Sequence, residues 1–245
     1  MNHKRYELLD TIRGMVLVSM IIYHACWNLV YIYGLDWGWY RSKGAYIWQQ
    51  SICWTFILLS GFCFSLGKRH LKSGLKVFWG GCLVTIVTMV FMPQNRVVFG
   101  VLTCIGSCIL CMNFTEKIWK SISAGLGLAL SFSLFLFTKN MNSGYLGFGS
   151  MRWIELPEKW YCNMASTFWG FPYKEFYSTD YFSFIPWCFL FLSGFYVYQI
   201  MKKYHLLEGS FFEKELPFFS FLGKHSLLIY LLHQPVIFGI QELIF

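Results

Sequence analysis

The stretch DTIRGMVLVSMIIYHACWNL, Asp10 to Leu29, carries four groups that hydrocarbon does not favour: Asp10, Arg13, His24 and Asn28. An imidazole can take a proton from an attacking hydroxyl or amine near neutral pH, or can itself carry a transferred group. A guanidinium suits phosphate, because its planar fork makes paired, charge-assisted bonds. A carboxamide beside an imidazole can orient it or donate to a developing oxyanion. Their spacing ties these groups together. Arg13 and His24 are separated by about three helical turns plus ~20°, so they share one helix face at roughly 16 Å along the axis. Asp10 and Arg13 stand at i, i+3 and can pair, and His24 and Asn28 stand at i, i+4. Ionisable groups within a span face a bundle interior or a wet cavity. One stripe of this helix is therefore expected to point inward.

A second stretch repeats the design. GKHSLLIYLLHQPVI begins near Lys224 and carries His233 well along. If this helix enters near residue 220, and the first near residue 9 or 10, His233 and His24 both lie about 20 Å into the membrane. Thr103, on another helix, falls at a similar height, and Asp180 opens a helix at the outer rim just above. Each feature has a plainer explanation. A lone intramembrane histidine can simply bond a neighbouring carbonyl, and Arg13 with Asp10 can be an interfacial anchor. The face shared by Arg13 and His24, matched in depth by His233, weighs toward a site. Cys104, Cys108 and Cys111 also share a helix face, but they lack a polar fourth ligand. They read as small packing residues, and no metal is expected.

The elements that must hold these groups are set by hydropathy. The 245 residues are 56% hydrophobic and only 13% charged, against about 25% charged in a soluble domain. Apolar runs of about 18 residues or more mark spans near 9–31, 47–67, 75–92, 97–113, 119–138, 181–201 and 219–240. The expectation is an all-α polytopic membrane bundle of about seven helices, forming one domain over 1–245. No internal repeat is visible. The first span is too long for a cleavable signal peptide, carries Arg13 and lacks a small-residue cleavage site. Lys4, Arg5, Lys68, Arg69, Lys202 and Lys203 belong to segments that a cytoplasmic N-terminus places inside. Inside segments hold more Lys and Arg than outside ones, which reads as N-in, C-out. The net charge of +8 then reports cytoplasmic loops rather than nucleic-acid binding. Residues 139–180 form one long extracytoplasmic loop. Its aromatic richness argues against disorder and suggests a cap over a substrate cavity.

The R-x10-H pattern at Arg13 and His24, within LLDTIRGMVLVSMIIYH, resembles the start of the large transmembrane acyltransferase superfamily. FILLSGFCFSLGKR, VVFGVLTCIGSCIL, DYFSFIPWCFLFLSGF and LGKHSLLIYLLHQPVI resemble, in order, motifs of the bacterial branch of the heparan-α-glucosaminide N-acetyltransferase catalytic-domain family. The resemblance covers nearly the whole chain. It implies a protein of the bacterial plasma membrane, moving an acyl group from cytoplasmic acyl-CoA, usually acetyl-CoA, to an acceptor across the membrane. Acceptors in the superfamily are often sugar amines or hydroxyls. By motif, Arg13 and His24 match the R-x10-H pair, His233 the histidine of the terminal motif, and Asp180 the acidic residue opening DYFSFIPW. This chain departs at Asn28, where relatives often have an acid, and at Thr103, where they commonly have His. The lysosomal heparan enzymes have Asn at the place of His24 and a histidine in the next loop. Loop 34–46 here has none, which makes heparan itself a poor substrate guess.

The resulting expectation assigns Arg13, with Lys68 and Arg69, to the CoA phosphates. His24 is the base, and Asn28, His233 and Asp180 complete the catalytic set. Direct transfer and an acyl-imidazole on His24 both remain open. The expected partners are acyl-CoA, a glycan or other small acceptor, and membrane lipid, with no nucleic acid; a homo-oligomer is left open. Two rival classes stand beside this one. A proton-coupled exporter would use His24 and His233 as a relay and would favour broken helices and a repeat. A membrane scaffold would use the polar groups only to lock packing.

Overall fold

The computed structural model describes residues 6–244. Lys4 and Arg5, which enter the charge comparison above, lie outside the described residues. The fold is all-α except for one two-stranded ribbon. Among the described residues, six helical segments are long and apolar enough to cross a membrane. They are α1 (Glu7–Tyr31), α2 (Lys43–Phe64), α3 (His70–Phe91), α4 (Val101–Ser121), the segment Ala124–Ser143 that contains α5 (Ala124–Thr138), and α7 (Phe184–Lys203). The short helix α6 (Met164–Trp169) precedes α7.

The seventh expected span differs. Instead of one helix over 219–240 there are two, α8 (Pro217–Lys224) and α9 (Ser226–Gln241), broken at His225. The run is apolar throughout, so hydropathy does not register the break. His225 donates its backbone N–H to Leu222 O at 3.1 Å, a tightened last turn that closes α8. The depth argument for His233 assumed one continuous helix and does not hold in that form.

The chain divides into two compact units, Met1–Phe56 with His205–Phe245, and Ile57–Tyr204. In the first, α1 and α8 cross closely through two glycines. A Cβ at Gly14 would collide with the Phe219 carbonyl, and one at Gly223 with the Asp10 carbonyl. Small residues at crossings let helix backbones approach where lipid offers no hydrophobic drive. Polar clamps secure the same crossing. Ser220 Oγ donates to Glu7 Oε2 at 3.1 Å, Lys224 Nζ pairs with Glu7 at 2.9 Å, and Leu216 N–H donates to Thr11 Oγ1 at 3.2 Å. The start of α2 docks on α1 through Trp48 Nε1–H to Ser19 Oγ at 2.8 Å, above a core of Leu17, Met20 and Ile52.

In the second unit α7 is the buried centre, with Leu190, Phe191 and Phe195 wholly enclosed. The end of α2 packs on it reciprocally, Gly61 against the Phe191 backbone and Gly194 against the Leu58 backbone. Ser131 and Ser193 hydroxyls bond at 2.9 Å between α5 and α7. Residues 139–180 are folded, in keeping with their aromatic content. β1 (Tyr145–Leu146) pairs antiparallel with β2 (Ile154–Glu155), and α6 has an Asn163–Ser166 capping box. The end of the loop is stitched to the α3–α4 connection by Thr179 N–H to Arg96 O at 3.1 Å and Phe182 N–H to Phe99 O at 2.8 Å.

Candidate active site

The first unit gathers polar side chains from α1 and α9 into one cluster. α1 stays helical from Glu7 through Asn28, so the i, i+4 relation of His24 and Asn28 is realised and both face α9. The His24 and His233 rings stand 5.0 Å apart between centroids, inclined at 53°. His233 is buried and its Nδ1 lies 2.5 Å from the Tyr230 carbonyl oxygen. Its Nε2 is enclosed with no hydrogen-bond partner among the described residues. His24 is only half-buried, so one side of the pair remains approachable.

A chain of carboxamides backs the imidazoles. Gln241 Nε2 donates to the Ala25 carbonyl at 3.1 Å, and Asn28 Nδ2 donates to Gln241 Oε1 at 2.9 Å. Asn28 and Gln234 exchange two longer bonds, Nδ2 to Oε1 at 3.3 Å and Nε2 to Oδ1 at 3.5 Å. Gln234 Nε2 then reaches His24 Nδ1 at 3.4 Å. Asn28 is 1% exposed and Gln241 7%. Amides this deep are costly unless paired, and these are paired with one another. Gln234 and Gln241 were not singled out in the sequence, yet a signal was there. They are seven residues apart and so share a helix face to within ~20°.

The other expected site residues are distributed as follows. Arg13, also on α1, donates from Nη1 to Asp10 Oδ1 at 2.9 Å, with 24% of its side chain exposed. Lys68 and Arg69 are exposed in the turn between α2 and α3, in the second unit. Asp180 also belongs to that unit. Its Oδ2 accepts the Val101 N–H at 3.4 Å, at the start of α4, where the positive end of the helix dipole favours an anion. Burial nevertheless pushes its carboxyl up to about 6, against the opposing pull of the Val101 N–H. Thr103 lies against Gly81 of α3 within the second unit, its hydroxyl enclosed with no hydrogen-bond partner among the described residues. Cys104 donates weakly to the Ser183 carbonyl at 3.6 Å. Among the described residues no three metal-ligating side chains come together. The second unit also holds a pocket of about 310 Å³ lined by Arg96, Tyr173, Phe176 and Tyr177.

Six long apolar helices define an integral membrane protein, and α1 and α9 bring an imidazole pair and its amide chain together within it. The family model described as heparan-alpha-glucosaminide N-acetyltransferase, catalytic, matches residues 5–235, and the chain belongs to that family of membrane acetyltransferases. No curated protein and no solved structure matches the chain.

Proposed function

We propose that this protein transfers an acetyl group from cytoplasmic acetyl-CoA to a hydroxyl or amine of an extracytoplasmic acceptor, a sugar or glycan, across a bacterial plasma membrane. The observation that carries the reading is the His24–His233 pair, two imidazoles in contact with one ring nitrogen buried and, among the described residues, unpartnered. A structural histidine would be expected to satisfy both nitrogens. A nitrogen held ready for a substrate proton would not.

The residues divide the work by position. Arg13, low on α1, offers a guanidinium for the CoA phosphates. Roughly 16 Å farther along the same helix face, His24 meets His233. There the imidazole pair receives the acceptor's proton and stabilises charge on the thioester oxygen. The amide chain fixes the ring of His24 in the place where relatives often use a carboxylate.

The test is to incubate purified protein with radiolabelled acetyl-CoA and an envelope extract, then identify the labelled product. Label in a glycan fraction, lost in His24→Ala/His233→Ala protein that still elutes as folded, is the expected result. No transfer by the wild type, or equal transfer by the double variant, would reject the reading.

A further inference from the structure

The two histidines are held in opposite tautomers by groups whose donor or acceptor character is fixed. A backbone carbonyl can only accept, and a neutral imidazole carries one N–H and one lone pair. Tyr230 O lies 2.5 Å from His233 Nδ1, so that nitrogen carries the proton and Nε2 holds the lone pair. For His24 the polarity runs in from another carbonyl. Ala25 O requires Gln241 to present its NH2 there, which turns Gln241 Oε1 toward Asn28. Asn28 must then present its own NH2 to Gln241, leaving its oxygen for Gln234. Gln234 satisfies both Asn28 atoms only with its NH2 on the Oδ1 side, and that same NH2 faces His24 Nδ1. His24 Nδ1 is therefore the acceptor, and its proton sits on Nε2.

We infer that the pair divides the chemistry, with His233 as the general base and His24 as the hydrogen-bond donor, the reverse of what the R-x10-H resemblance assigns. This rests on the acetyltransferase reading. As the acceptor oxygen or nitrogen bonds to the thioester carbon, its proton passes to His233 Nε2. His24 Nε2–H donates to the carbonyl oxygen as it gains charge, without giving up its proton. When the carbon–sulfur bond breaks, the sulfur keeps the electron pair and takes the proton from His233 Nε2. The products are the acetylated acceptor and CoA thiol, and both histidines return to their starting tautomers. Neutral His24 has no free lone pair in this arrangement, so it cannot be the first proton acceptor.

Tautomers are read directly by ¹⁵N NMR of histidine-labelled wild-type protein in detergent, assigned with His24→Gln and His233→Gln. The expected spectrum shows a protonated Nε2 and bare Nδ1 for His24, and a protonated Nδ1 and bare Nε2 for His233. The opposite pattern, or the same tautomer at both, overturns the inference. Kinetics gives the second arm. Glutamine places an N–H near the position of imidazole Nε2 but is not a base. His24→Gln should keep at least about a tenth of the wild-type kcat and its pH profile. His233→Gln should lose roughly 10²–10⁴-fold, together with the acid limb of that profile. A His233→Gln protein retaining more than a tenth, or a His24→Gln protein falling as far as it, overturns the assignment. Both variants are first checked for acetyl-CoA binding and monodispersity, and the wild-type spectrum decides the tautomers whatever the variants do. If the wild type transfers nothing, the acetyltransferase reading fails and the roles fail with it, while the spectrum reports the tautomers independently.

Discussion

At the scale of single residues, the proposed chemistry hangs on amides that polarise one another. Gln241 sits at the far end of the amide chain from His24, and the described bonds of its side chain are to Ala25 O and Asn28. Gln241→Leu removes the group that fixes which way Asn28 points. Interhelical hydrogen bonds in membranes average under about 1 kcal/mol, so stability should fall only slightly. Freed to flip, Asn28 and Gln234 could offer His24 an oxygen, which would favour the wrong tautomer. The expected result is a small drop in melting temperature with a tenfold or larger loss of kcat. An unchanged kcat would show that the chain does not orient His24. Asp180 yields a second residue-scale expectation, this one in stability. Its folded carboxyl is raised from 3.8 to about 6, first by burial. The folded state therefore holds this proton more tightly than the unfolded chain does. That contribution is fully present below about pH 4 and is lost as pH rises through about 6. Asp180→Asn keeps an oxygen for Val101 N–H but does not titrate. Melting curves from pH 4.5 to 7.5 should show the variant gaining relative to wild type as pH rises, and a parallel pair of curves would contradict this.

At the scale of elements, the sequence was most legible where a single period or length decides the answer. The six long helices follow from apolar run length, because each must satisfy its own backbone in lipid. Arg13, His24 and Asn28 were legible because one helix carries them, so the 3.6-residue period suffices. The break at His225 was not, since it arises where α8 crosses α1 and no local residue type announces it. The neighbour of Thr103, Gly81 of α3, was not legible either, because depth along a helix does not specify which residue it meets. Gln234 and Gln241 matter through partners more than 200 residues away in sequence, which no local pattern encodes. The α1–α8 crossing itself can be tested. Gly223→Ala drives a Cβ into the Asp10 carbonyl, and such overpacking typically costs about 1–3 kcal/mol. Gly125→Ala, in α5, meets nothing within 4 Å and should be neutral or slightly stabilising. Thermal melts in detergent should separate the two variants clearly. Equal melting temperatures would mean that α8 can lift away from α1 at little cost.

At the scale of the whole molecule, the open quantity is how many times the chain crosses the membrane. α9 has 16 residues, about 24 Å of helix against a hydrocarbon core of about 30 Å, so length alone leaves the crossing undecided. Its surface is more informative. Leu228, Leu232, Val236 and Ile240, at every fourth position, are each half or more exposed, while His233, Ile237 and Gln241 are buried. A continuous apolar stripe opposite a polar buried face is what a helix needs to lie against lipid on one side and protein on the other. A short span is accommodated by local thinning of the bilayer at modest cost. α9 is thus expected to cross, which with a cytoplasmic N-terminus puts the C-terminus outside. Cys162, exposed in the 139–180 loop, supplies the external reference. In intact cells a membrane-impermeant maleimide should label the wild type and not Cys162→Ser, and a C-terminal epitope tag should be open to external protease. A labelled Cys162 with a tag reached only after lysis would mean that α8 and α9 turn back without crossing. A Cys162 labelled only after lysis would reverse the orientation, placing loop 139–180 in the cytoplasm.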